Sequence, residues 1–181
     1  KVQPDTALWD AGDLRYNVLR WTSSPNPPFG GYGPSFVNPR TGQILGADIM
    51  LEWIYITKRI QQGELFEHTS LFLDEENPMD EHYCSASALM QSNNLFAHSA
   101  VDAMELSQAS KETLIRESLR RLVLHEVGHT LGLNHNFKGS NLLTYEEILN
   151  KDKTYEKGLC SSVMEYPSIN FSLEAENQGL Y

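Results

Sequence analysis

The segment His125-Glu-Val-Gly-His129-Thr-Leu-Gly132-Leu-Asn-His135 limits what this chain can become more than any other stretch of it. It closes a helical pattern in which Leu114, Ile115, Leu119, Leu122, Val123 and Val127 recur at helix spacing. The spacing predicts a helix from about Lys111 to Leu131, with Ser110 as N-cap and Glu112 in the first turn, where the helix dipole favours it. Residues four apart on a helix lie one turn above each other. His125 and His129 therefore present their rings to one point. Glu126 is offset by about 100° around the axis and sits beside that point rather than at it. Gly132 lets the chain leave the helix through a left-handed conformation, so that His135 returns from a different direction.

Three imidazole nitrogens converging from two directions predict a metal site made of His125, His129 and His135. The ligand set favours one Zn2+ ion, although affinity order alone leaves other transition metals open. Three protein ligands leave a fourth position for water, which marks a catalytic rather than a structural zinc site. Zinc lowers the pKa of its bound water to about 7 and polarises a carbonyl. Glu126 would take the proton of that water as it attacks, then pass it to the departing amine. Peptide-bond hydrolysis is the natural reading. A lone helical histidine is usually a half-buried packing residue, and HExxH arises by chance. The glycine and third histidine at fixed offsets are required by neither helix propensity nor packing. His68, His82 and His98 have no such spacing and are assigned no role.

The 181 residues suit one domain with a real core. The net charge of −10 argues against a nucleic-acid partner, which needs clustered Lys and Arg. Arg116, Arg120 and Arg121 read as a solvated helix face. No apolar run reaches the roughly 18–20 residues of a membrane span. The chain starts at Lys1 without a leader, so an export signal is expected outside it. Cys84 and Cys160 leave two readings: a disulfide in an oxidising compartment, or two separate thiols.

Leu14–Trp21 reads as a strand and Pro25–Pro34 as a surface loop. Ser35–Asn38 and Gln43–Trp53 flank Pro39-Arg-Thr-Gly42 and read as a hairpin. Ile54–Gln62 is ambiguous. Leu73–Glu81 is an acidic loop lacking calcium-ligand spacing. Asn94–Val101 reads as another strand. Thr144-Tyr-Glu-Glu147 has capping-box form and should open a short helix to about Asn150.

The zinc segment resembles the extended HExxHxxGxxH motif of the metzincin metallopeptidases at every specified position. Ser161-Ser-Val-Met164-Glu-Tyr166, with its methionine 29 residues beyond the third histidine, resembles the Met-turn whose methionine floors the metal site. Tyr166 matches the tyrosine that astacins and serralysins place near zinc, which implies an oxyanion-stabilising role beside Glu126. LRYNVLRW, GPSFVNPRTGQILGADI, HEVGHTLGLNHNFKGS and SVMEYP are similar to stretches of large, little-characterised bacterial zinc metallopeptidases. The resemblance implies an α+β fold, with a mixed, mostly parallel twisted sheet packed on long helices. It implies a zinc cleft between an upper subdomain (1–132) and a lower one (133–181). The first strand and helix of that fold have no candidate before Leu14, so they are expected upstream or from another segment. A protein or peptide substrate would lie extended along an edge strand of the Gly33–Trp53 hairpin. An extracytoplasmic location goes with this reading.

Three functions compete. One is an endopeptidase; another is a zinc-binding but catalytically silent scaffold, or an incomplete fragment of a larger peptidase; the last is a narrow processing enzyme or exopeptidase. The intact Glu126 favours catalysis, because a silent site would be free to lose it.

Overall fold

The structure, a computed structural model, describes residues 2–4, 6–24, 30–53, 86–104 and 108–181. Ile54–Gln62, the Leu73–Glu81 loop, His68, His82 and Cys84 lie outside the described residues, as does the side chain of His98. Cys160 is a free cysteine whose Sγ donates to Ser162 O at 3.2 Å.

Strand β1 (Val18–Thr22) runs parallel to β4 (Ile44–Glu52), with Val18 opposite Asp48 and Thr22 opposite Glu52. On the other side of β4 lie β2 (Gly31–Tyr32) and β3 (Ser35–Val37), both antiparallel to it. The expected hairpin is therefore present as β3–β4. Its turn closes with the Gly42 N–H on Asn38 O at 2.8 Å, and Gly42 takes φ 73°. A connection this short can only reverse the chain, which makes the pairing antiparallel. Among the described strands one pairing of three is parallel, so the sheet is partly rather than mostly parallel. The N-terminal strand starts at Val18, four residues later than its sequence limit.

Alternation along β4 turns Ile49 and Leu51 towards the helices. There they meet Met90 of α1 (Ala86–Ala103) and Leu122 of α2 (Gln108–Thr130) in the core, with Leu119, Val123 and Val127 packed around them. Helix α1 corrects the strand reading of Asn94–Val101. Met90, Asn94, Ala97 and Val101 are all buried, at intervals of four, three and four, which is one face of a helix. Asn94 hides that stripe in the sequence. It is a polar residue on the buried face, with its Nδ2 donating to Met90 O at 2.6 Å and Ser118 Oγ at 2.7 Å. Helix α1 lies beside α2 and supplies, from within the chain, a second long helix.

Helix α2 begins at Gln108, two residues before the cap expected at Ser110, and ends as expected where Gly132 adopts φ 82°. Beyond it, Gly139–Leu142 form a 3-10 turn. Thr144 then opens α3 (Tyr145–Ile148) with both bonds of the capping box. Asn150 caps α4 (Lys151–Lys157), and Gly158 closes it. No helix among the described residues is long and apolar enough to cross a membrane.

Candidate metal centre

The three histidines of the motif come together. Their ligand nitrogens lie within 4.8 Å of one another, and Glu126 stands outside that group. His129 Nε2 and His135 Nε2 are 3.1 Å apart. Two ligands held ~2.0–2.1 Å from one tetrahedral ion would stand roughly 3.3 Å apart, so this spacing fits a shared zinc.

On two of the three rings the opposite nitrogen is already committed. His125 Nδ1 bonds Val163 O at 2.8 Å, and His129 Nδ1 approaches Leu133 O at 3.2 Å. A carbonyl can only accept, so each Nδ1 carries the proton and each Nε2 keeps its lone pair for a metal. Burial, the largest influence, pulls His125 down to about 4 against the raising effect of its Val163 bond. Burial also lowers His129 and His135. All three are thus neutral imidazoles near pH 7, the form that binds metal. Nitrogen donors of this kind, aimed at one point, fit a zinc ion.

Glu126 is fully buried, and neither carboxyl oxygen has a hydrogen-bond partner among the described residues. Burial pushes its carboxyl up to about 7, and the nearby Gly33 N–H moderates the rise without reaching normal bonding geometry. A group poised near neutrality exchanges a proton in either direction, as a general base then acid must.

The cover over Glu126 comes from a stretch that the sequence placed in a loop. Gly31 and Gly33 are buried against α2. A Cβ on Gly31 would stand 3.1 Å from Glu126 Oε1, and one on Gly33 would stand 2.5 Å from the Glu126 backbone oxygen. Only glycine lets this strand edge approach the helix so closely. The Gly-Gly-Tyr-Gly run carried the signal, but runs of glycine and proline read first as loops.

The segment Ser161–Tyr166 passes beneath α2. Met164 is 1% exposed, and a Cβ at Gly128 would run into its Sδ. Glycine inside a helix costs about 1 kcal/mol relative to alanine, and that penalty was the sequence signal that something packs there. Tyr166 Oη lies 2.8 Å from His135 Nε2, and its ring meets Phe137 edge-on. Arg121, read as part of a solvated face, instead donates to Pro167 O at 2.6 Å from one turn before His125. Arg116 and Arg120 are exposed as expected.

Residues 107–181 match the family described as Met-zincin, a span that takes in α2, all three histidines, Met164 and Tyr166. No curated protein and no solved structure matches the chain.

Proposed function

With residues 107–181 matching the Met-zincin family, we propose that this chain is a zinc metallopeptidase that hydrolyses peptide bonds in proteins or peptides. The observation that carries the reading is the pairing of three converging neutral histidines with a buried glutamate that has no hydrogen-bond partner among the described residues.

His125, His129 and His135 would hold the ion through their ring nitrogens, with Val163 O and Leu133 O fixing two of the rings. Zinc, when bound, supplies Lewis acidity and makes water acidic enough to ionise near pH 7. Glu126 takes the proton as the water oxygen attacks the carbonyl carbon. The same carboxyl returns that proton to the nitrogen as the C–N bond breaks, leaving an acid and an amine. Its raised pKa suits both transfers. Tyr166 Oη, already turned towards His135, donates to the oxyanion that develops on the former carbonyl oxygen.

Among the described residues the β2–β3 segment pairs only with β4, and it borders Glu126 through Gly31 and Gly33. An extended substrate adds there as a further strand, which is how exposed sheet edges bind peptides.

Incubation of the zinc-loaded chain with a diverse peptide library, beside its Glu126→Ala variant, tests the proposal. Internal cuts by the wild type alone support an endopeptidase, and cuts confined to chain ends would turn the reading to an exopeptidase. Intact peptides with both proteins holding one zinc would reject the peptidase reading in favour of a silent zinc domain.

A further inference from the structure

We propose that Glu165 is a positioning residue of the metal centre, tying the loop that follows the third histidine to the turn that carries Tyr166. It stands between Met164 and Tyr166 and is 4% exposed. Its Oε2 accepts from Ser140 N–H at 3.0 Å and from the Ser140 hydroxyl at 3.3 Å. Its Oε1 accepts from Tyr166 N–H at 2.9 Å. One carboxyl thus holds three donors from two segments that are distant in sequence.

Those segments meet again at the histidine. Ser140 lies five residues beyond His135, and Tyr166 Oη reaches back to His135 Nε2 at 2.8 Å. His135, its loop, Ser140, Glu165 and Tyr166 therefore form a closed ring of covalent and hydrogen bonds, whose last link at His135 Nε2 gives way when that nitrogen ligates zinc and leaves the Ser140–Glu165–Tyr166 tie to hold the loop against the turn. Backbone bonds lie alongside it, from Asn136 N–H to Met164 O at 3.0 Å and from Ser161 N–H to Gly139 O at 2.9 Å. Gly139 is packed as closely as its lack of a side chain allows, since a Cβ there would meet Glu165 Cβ at 3.1 Å and Oε2 at 3.2 Å. A buried carboxyl without donors is strongly unfavourable, and apolar packing alone would be served by Met or Leu. Oxygens satisfied from both segments make Glu165 a strut whose length sets where the loop stands relative to Tyr166.

Partners that orient a metal ligand typically cost 10–100-fold in metal affinity when removed. Zinc Kd should therefore rise about 10–100-fold in Glu165→Ala, measured on the full chain by competition with a chromophoric chelator. Glu165→Gln keeps the shape but turns an amide N–H2 towards one set of donors, so it should also weaken zinc binding, and it decides the matter if the alanine variant does not fold. A role confined to holding the fold would lower the melting temperature of metal-free and zinc-loaded protein alike and leave Kd unchanged. That result overturns the proposal.

A second readout rests on the peptidase reading. Glu165→Gln should lower kcat with Tyr166 present and add little once Tyr166→Phe is made. Losses that multiply in the double variant would show that Glu165 does not act through Tyr166. A wild type that cuts nothing rejects the peptidase reading, and zinc Kd alone then decides the role of Glu165.

Discussion

Glu126→Gln in the metal-free chain isolates the electrostatic state of the candidate base. Burial raises the Glu126 carboxyl from 4.5 to about 7. A raised carboxyl pKa means that the fold favours the protonated form. Below about pH 4.5 both folded and unfolded chains hold the proton, and the carboxyl imposes no ionisation penalty. Between about 4.5 and 7 the unfolded chain ionises first, so stability falls as pH rises. Above about 7 both forms are ionised and the penalty is constant. A tenfold weakening of an acid corresponds to about 1.36 kcal/mol, so a carboxyl raised from 4.5 to about 7 carries a full penalty of about 3 kcal/mol. Glutamine has nearly the same shape and does not titrate. The variant should therefore gain stability relative to wild type by about 3 kcal/mol between pH 4.5 and 8, with no further change above. For a chain of this length that is a difference of roughly 6–12 °C in melting temperature, developed across the window. Thermal melts of both proteins in chelator at five pH values from 4.5 to 8.5 measure it. A stability difference independent of pH would refute the claim that Glu126 is buried and neutral-seeking in the metal-free site.

Other outcomes follow from the same geometry. His125 is lowered from 6.5 to about 4, so its contribution is present above about pH 6.5 and is lost as pH falls towards 4; Glu126→Gln melts should show this acid loss without the opposing gain from the carboxyl. His129→Ala should bind no zinc at micromolar concentration and lose the thermal stabilisation that zinc gives the wild type, as read by metal analysis and paired melts. Tyr166→Phe should retain zinc and lose about 10²–10³ in kcat, and wild-type turnover would remove the oxyanion role. Gly33→Ala must push the strand edge off the Glu126 backbone and should destabilise the chain by about 1–3 kcal/mol in urea unfolding.

The three-histidine cluster was legible because its information is local. Two histidines one turn apart, a glycine at a helix end and a third histidine three residues later determine each other's directions through backbone geometry alone. The capping box at Thr144 and the hairpin turn at Asn38–Gly42 were legible for the same reason. What escaped depends on contacts between distant residues. Asn94 reads as an interruption until Ser118 is seen to receive its amide, and only then is α1 a helix face. Gly31 and Gly33 read as loop until the helix they press against is in place. Arg121 belongs to a charged stripe by spacing, and only the position of Pro167 turns it inward. Glu165 has no sequence signal, because its donors lie 25 residues away at Ser140 and next door on the backbone of Tyr166.

The role of Glu126 is tested most directly by turnover of one peptide substrate by Glu126→Gln protein that holds one zinc ion per chain. Its rate should be lower than wild type by about 10²–10⁴, with zinc content and fold unchanged, because only the proton carrier has been removed. A zinc-loaded Glu126→Gln variant that cuts as fast as wild type would contradict that role.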